Sequence, residues 1–409
     1  MSIIVQKYGG SSVATPDRIK SVARRIADRK DTGDGVVVVV SAMGDSTDTL
    51  TVLADQLTDA PPPREMDMLL STGEIVSTAL LTMALKAIGY DAIGLDGNQA
   101  GIQTTREHRR AQIQEIDPSR IHENLETGKI VVVAGFQGIS EGLDITTVGR
   151  GGSDTTAVAL AAKLGADVCE IYTDVEGVYT ADPRIEPKAR QLIELNFEEM
   201  AELANHGARV LHSRAVELAW VYNVPILVAS SFTEKQGTLI HGGRNMEMKD
   251  KVKGIAHDLD VTKVTILGVP DHPGIAASIF SPLSDAGISV DIIVQNSSVD
   301  KLTDLSFTVE RSSLDEALAV INPITKTIGA SSLTSNTNLA KVSVVGAGMQ
   351  SQPGYASTMF ECLNKVGVNI EMITTSEIRI TCIIHEEGVQ KAIRALHSAF
   401  ELEADIEES

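Results

Sequence analysis

The stretch Thr146–Val175, "TTVGRGGSDTTAVALAAKLGADVCEIYTDV", decides the fold. It opens on a turn with glycines at 149, 151 and 152. From Thr155 to Leu164 it is rich in Ala and Leu and reads as a helix. "DVCEIYTDV" (167–175) then reads as a short buried strand. A glycine turn, a helix and a buried strand form the return half of a βαβ crossover. The helix start would turn free N–H groups and a positive dipole end toward an anion. Arg150 in the turn can grip a carboxylate or phosphate as a two-pronged fork. Asp154, with Ser153 just inside the helix, either caps it or orients a lysine ammonium or the waters of a bound Mg²⁺.

Outward from this stretch the pattern repeats. Residues 3–6 read as a strand, and Pro16–Arg29 as a helix. "GVVVVVSAMG" (35–44) and "KIVVVAGFQGIS" (129–140) are buried strands running into loops. Residues 64–89 read as helical with a break near Gly73, and 194–232 as helices followed by a strand. Apolar strands alternating with helices indicate an α/β fold with a mainly parallel sheet.

Polar groups gather at the ends of these elements. Lys7 precedes Tyr8-Gly9-Gly10, where glycines let the backbone approach a phosphate and the lysine adds a mobile charge. The spacing is neither a Walker A loop nor a dinucleotide fingerprint. Ser41, Asp45, Ser46 and Thr47 follow the valine strand. Glu74 follows Gly73, at the expected helix restart, where a carboxylate can bind an amine. "YTDVEGVYTADPR" (172–184) brings Thr173, Asp174, Tyr179, Asp182 and Arg184, with an aromatic that can face a base. His206 and His212 sit on a helical segment without metal-ligand spacing, and no G-x-S-x-G elbow supports hydrolysis. A metal would arrive with a nucleotide, held by its phosphates.

Composition narrows the classes. With 55 acidic and 35 basic residues the formal net charge is −20, against broad nucleic-acid or anionic-membrane binding. Cys169, Cys362 and Cys382 are flanked by apolar residues and read as buried free thiols. With no leader and no long apolar run, the chain reads as a soluble cytoplasmic protein.

The last third of the chain is an internal repeat. "KVTILGVPDHPGIAASIFSPLSDAGISVDII" begins at Lys263 and "KVSVVGAGMQSQPGYASTMFECLNKVGVNIEMI" at Lys341. Pro273-Gly274, Phe280 and Gly287 recur as Pro353-Gly354, Phe360 and Gly367. Each copy continues with a strand and a helix, giving two βαββαβ modules of ferredoxin-like type. Asp271, before the first Pro-Gly turn, can cap the turn or clamp an amine.

The motifs "QKYGGSS" (6–12), "VVVVVSAMGDSTD" (36–48), "LLSTGE" (69–74), "AGFQG" (134–138), the run 146–184 and "GARVLHSRAVELA" (207–219) resemble those of monofunctional bacterial aspartate kinases. The repeat is similar to that family's paired ACT modules, and the likeness covers residues 2–402. It implies an amino-acid kinase αβα sandwich over 1–245 and a regulatory region over 246–409. The first ACT module would span about 263–335, inserted within a second of about 341–402 plus a strand near 252–259.

The implied reaction is ATP + L-aspartate → ADP + 4-phospho-L-aspartate, at the head of amino-acid biosynthesis. By resemblance, Lys7 with Gly9 and Gly10 contacts the transferring phosphoryl. Arg150 grips the α-carboxylate of aspartate and Glu74 its ammonium. Ser41, Asp45, Ser46, Thr47, Gly151 and Gly152 line the substrate, and Ser153 and Asp154 bridge it to the nucleotide. Tyr8, Thr173, Asp174, Tyr179, Asp182, Arg184 and Arg209 fall to the ATP side. Arg209 stands where many relatives have lysine.

Lysine, threonine or both would be effectors. Threonine is expected near Asp271, Pro273, Gly274, Ala276, Ala277 and Gln295, with Asn369 and Ile370 of another chain opposite. Lysine is expected near Met349, Ser376 and Glu377. The chain is expected as a homodimer or as an α₂β₂ assembly with a small subunit started internally at Met246 or Met248. The rivals are another amino-acid kinase, disfavoured by the Arg150/Glu74 pair and the repeat, and a sensor with a dead kinase fold, disfavoured by Lys7 and Asp154.

Overall fold

The computed structural model describes residues 2–208, 210–243, 252–296, 301–349 and 353–403. Its contacts divide into two compact units, Met1–Tyr179 with Gln191–Glu247, and Thr180–Arg190 with Met248–Ser409. The division is not the contiguous one expected at 245/246. Residues 180–190 leave the first unit and pack with the second. Met246, Met248 and Arg209 lie outside the described residues.

The first unit is built on an eight-stranded sheet. Its order is Glu194–Asn196, Thr238–His241, Ile226–Ser230, Val168–Thr173, Ile3–Tyr8, Gly35–Val40, Ile130–Ala134 and Ala92–Leu95. Every pairing is parallel except that of Ile226–Ser230 with Thr238–His241. The valine run 36–40 is fully buried, as expected for a strand covered on both faces. The sequence turns back on itself around Ile3–Tyr8, which is flanked by Gly35–Val40 on one side and Val168–Thr173 on the other. A crevice at the carboxyl ends of such strands is where open α/β sheets take ligands. A second sheet of four short strands runs Ile113–Ile116, Ile102–Thr104, Gln137–Ser140 and Ile145–Thr147. Residues 129–140 are thus two strands, not one strand and a loop.

The helix Pro63–Ala87 is continuous, with no break at Gly73. Gly73 is there because the helix passes close to the loop after the valine strand: a Cβ would come within 2.8 Å of Ala42 Cβ. This helix is long and apolar enough to cross a membrane. It packs instead as a core helix, burying Met66, Leu70, Leu81 and Leu85 together with the acids Asp67 and Glu74.

The second unit is one six-stranded antiparallel sheet. Its order is Ile293–Gln295, Leu302–Val309, Gly254–Pro270, Ser332–Val345, Arg379–His385 and Ile370–Thr375. Two long strands run through both halves. Gly254–Asp258 pairs with Lys341–Val345, and beyond register shifts at 258–263 Lys263–Leu267 pairs with Ser332–Asn336. Each half-sheet has the ferredoxin-like order 4-1-3-2, and in one half the fourth strand is contributed from before the first. Separate cores lie under each half, one around Ile279, Phe307 and Ile321, the other around Val342, Leu363 and Ile393. Into the latter tuck Ala181, Ile185 and Ala189 of the excursion. Thr180 Oγ1 lies 2.9 Å from His397 Nε2 and its carbonyl accepts from the Ile255 N–H at 2.8 Å. The three cysteines are free and buried.

Candidate active site

The rim formed by the carboxyl ends of Ile3–Tyr8, Gly35–Val40 and Val168–Thr173 collects the polar residues. Alternation along Ile3–Tyr8 sends Lys7 to one face and Gln6 and Tyr8 to the other. On Lys7's face lies the helix Gly152–Leu164, and Lys7 Nζ meets Asp154 Oδ1 at 2.6 Å with both side chains nearly buried. This is a charge contact rather than an aligned hydrogen bond, since Oδ1 has no hydrogen-bond donor of suitable geometry. The ammonium folds over Gly9, close enough that a side chain there would come within 3.5 Å of it.

Tyr8 does not share this face. It is fully buried, stacked on Tyr172 at 4.9 Å, and its hydroxyl donates to Gln6 Oε1. That places its side chain in the core, and only its backbone reaches the rim, where its carbonyl accepts from the Ser41 N–H. The loops meet again at Gly10, whose carbonyl accepts from the Gly44 N–H at 3.1 Å.

The helix Gly152–Leu164 starts behind Gly151, which sits in the left-handed region at φ 70. A Cβ at Gly151 would collide with the His212 ring. His212 is the N-cap of Ser213–Tyr222 and His206 the C-cap of Phe197–Asn205, so neither lies within a helix as expected. Gly152 and Ser153 are buried, while Arg150 is exposed and makes no ion pair among the described residues.

Glu74 is the most telling group. It is buried, and Oε1 accepts from the Ala42 N–H at 3.1 Å. Its other oxygen is buried with no partner. Burial pushes its pKa up from 4.5 to about 7. Ser41 and Ala42 carry the chain from the valine strand to Asp45, at the N-cap of the helix Ser46–Asp55. Ser46 Oγ donates to the Met43 carbonyl at 2.5 Å, and Thr47 lies half-buried one residue on.

On the other side of the rim Thr173 Oγ1 donates to Asp174 at 3.1 Å, and Tyr179 OH donates to Glu176 at 3.0 Å. Asp182 and Arg184 fall in the excursion and so in the second unit. There Arg184 holds the Asp182 carboxylate at 2.7 Å and keeps its pKa below the usual range.

Asp67 escaped sequence reading. It has no exposed surface, yet three polar groups converge on it: Thr147 Oγ1 at 2.5 Å, His108 Nδ1 at 2.7 Å and the Arg109 N–H at 3.0 Å. The signal was its spacing from Glu74: seven residues are two helical turns, so both acids lie on one buried face.

In the second unit Asp271, Pro273, Gly274 and Ala277 are exposed and Ala276 half-exposed, at the start of the helix Ile275–Asp285. Gln295 ends one edge strand, while Ile370 begins the strand on the opposite edge and Asn369 precedes it. Five strand spacings separate those edges, about 24 Å. A cavity of 340 Å³ beside Asn369 is lined also by Val368, His385 and Lys391. Met349 follows the strand Ser332–Val345, and Ser376 and Glu377 form the turn after Ile370–Thr375.

Comparison with known proteins bears out the two kinds of fold. Residues 2–230 match the amino acid kinase family, and 264–323 and 342–400 each match the ACT domain. The aspartokinase of Mycolicibacterium smegmatis is 50% identical over 412 residues, covering 100% of this chain and 98% of its own. The chain belongs to the aspartate kinase family. As an aspartate kinase it transfers a phosphoryl group from ATP to the β-carboxylate of aspartate. Among solved structures, Escherichia coli aspartokinase III with aspartate and ADP is 26% identical with a TM-score of 0.82, covering 98% of this chain and 100% of that one. The same E. coli enzyme with lysine and aspartate, in its T-state, is 26% identical with a TM-score of 0.74, covering 97% and 99%.

Proposed function

We propose that the rim holds aspartate between Glu74 and Arg150 and presents its β-carboxylate to the ATP γ-phosphoryl beside Lys7. The carrying observation is Glu74. A buried carboxylate with one unpartnered oxygen is costly to the empty fold, and a ligand ammonium supplies the missing partner. Arg150, exposed and unpaired, takes the α-carboxylate as a fork. Ser41, Asp45, Ser46 and Thr47 line the aspartate, and the helix start at Gly151, Gly152 and Ser153 turns its positive dipole end toward the anion. The substrate carboxylate is itself the nucleophile, so no protein base is required, and the work is positioning and charge neutralisation. Lys7 moves from Asp154 toward the phosphoryl oxygens as their charge shifts. Thr173, Asp174 and Tyr179 serve the nucleotide side. Mg²⁺ supplies charge neutralisation when bound with the nucleotide, held mainly through the phosphates.

The test is a coupled assay of ADP release with varied aspartate and ATP. Arg150→Ala should raise the KM for aspartate far more than that for ATP, since losing a charge-assisted fork is worth roughly 2–5 kcal/mol. Equal effects would put Arg150 on the phosphates instead.

For the second unit the proposed role is feedback regulation by lysine, threonine or both, in a cytoplasmic homodimer or α₂β₂ assembly. Lysine is bound by the E. coli relative in its T-state. The separation of Gln295 from Asn369 and Ile370 on opposite sheet edges supports a threonine site completed by another copy.

A further inference from the structure

The turn that carries Arg150 is not free-standing. Ala111 N–H donates to the Thr147 carbonyl at 2.9 Å, so the segment 108–111 runs beside the end of the strand Ile145–Thr147. Arg214 ties the same two segments, donating to the Val148 carbonyl at 2.9 Å and to the Ala111 carbonyl at 3.2 Å. A Cβ at Gly149 would meet the Arg109 carbonyl at 3.0 Å, so the backbone of 109 is the wall against which the Arg150 turn is folded. Arg109 itself stands at φ 67, a left-handed conformation that a non-glycine residue adopts only when something fixes it.

What fixes it is Asp67. Its two oxygens straddle the Arg109 N–H at 3.0 and 3.1 Å, one takes the Thr147 hydroxyl and the other faces His108 Nδ1. One buried carboxylate thereby joins the long helix, the left-handed turn at 109 and the strand end that leads to Gly149 and Arg150. Burying a carboxylate is expensive unless donors surround it, and here two chain segments, 108–109 and Thr147, supply them.

We propose that Asp67 is a positioning residue for substrate carboxylate binding: through Thr147 and the Arg109 backbone it sets the direction of Arg150, which touches the substrate while Asp67 does not. The inference rests on the reading of Arg150 given above. It makes one face of the helix Pro63–Ala87 responsible for both ends of the amino acid, Glu74 directly and Asp67 through the turn.

Steady-state kinetics on folded Asp67→Asn, Thr147→Val and Thr147→Ser proteins test it. Asp67→Asn presents an amide N–H where one of the donors needs an acceptor, and Thr147→Val removes one donor while keeping shape. Each should raise the KM for aspartate about tenfold and leave the KM for ATP within about twofold, and Thr147→Ser should restore the wild-type value. In an Arg150→Ala background Asp67→Asn should add less than about twofold, because the group it positions is gone. A rise in both KM values together, or none in that for aspartate while Arg150→Ala raises it, overturns the positioning role and leaves the Arg150 reading intact. If Arg150→Ala leaves the aspartate KM unchanged, the reading of Arg150 falls and this inference falls with it. Should Asp67→Asn not fold, the Thr147 pair decides alone.

Discussion

In the first unit the strands Ile3–Tyr8, Gly35–Val40 and Val168–Thr173 run parallel, so Lys7, Ser41 and Thr173 emerge on one rim of one sheet. In the second unit every pairing is antiparallel; of the expected effector residues Gln295 falls on one outer edge and Asn369 beside the other, while Asp271 to Ala277 follow the central strand Gly254–Pro270. Parallel order collects strand ends, so a site can be completed within a single chain. An antiparallel sheet made of two modules, one of them permuted, ends instead in two open edges. The first arrangement suits catalysis, where geometry must be fixed before the substrate arrives. The second suits regulation, where binding is to be linked to a change in arrangement.

The sharpest way to break this comparison is at Lys7. If the rim is self-sufficient, Lys7→Ala should lower kcat on the order of 100-fold while the KM values move little, because its charge matters most as negative charge passes between oxygens. A folded variant with kcat within about threefold of wild type would remove Lys7 from the chemistry.

Much of this rim was legible from sequence, because its residues sit at glycine-marked strand ends and helix starts. Lys7 at its strand end and Asp154 at its helix start are of that kind, whereas Glu74 lies inside a continuous helix. What escaped depended on long-range packing. Gly73 looked like a helix break, whereas it stays helical because Ala42 presses against it. Asp67 stands in a Met- and Leu-rich run with no local signal beyond its spacing from Glu74. The excursion 180–190 has the composition of a surface loop, and only its burial of Ala181 against the ACT helices assigns it to the second unit. The repeat, by contrast, was plain at an offset of 80 residues, since identical turns require identical residues.

Glu74 gives the next largest effect. Its pKa is near 7 in the ligand-free fold and ordinarily 4.5. Between those values the folded chain keeps a proton that the unfolded chain has lost, so Glu74 makes stability fall as pH rises through that window, by about 3 kcal/mol in all. Binding an ammonium requires the ionised form. The KM for aspartate should therefore fall roughly tenfold from pH 6 to pH 8, and Glu74→Gln should flatten both dependences. A pH-independent KM in the wild-type enzyme would separate Glu74 from the substrate amine.

For the second unit, Asp271→Ala should raise the effector concentration needed for half-inhibition by about tenfold, or about 1.4 kcal/mol, without changing turnover in the absence of effector. Dose–response curves with threonine, lysine and their mixture check this. Superimposable curves for variant and wild type would move the effector away from Asp271. If the edges need another copy, sensitivity should also fade on dilution below the dimer's dissociation constant, while the rim's activity persists.

The smallest effect is expected at Tyr8, and it separates packing from binding at a single position of one strand. Its neighbour Lys7 points at Asp154, but Tyr8 points the other way, stacked on Tyr172 with its hydroxyl on Gln6 Oε1, and Gln6 in turn donates to Glu170 Oε2 at 2.7 Å. Burial holds the Tyr8 phenol well above its usual pKa, so it remains a neutral donor. Tyr8→Phe keeps the stack and removes one hydrogen bond at 3.2 Å, leaving Gln6 Oε1 without that donor. The cost should be about 1 kcal/mol of stability. The KM for ATP should stay within about twofold, because only the backbone of Tyr8 reaches the rim. A tenfold rise in that KM without loss of stability would return the Tyr8 side chain to the nucleotide site, and with it the idea that both faces of the central strand serve catalysis.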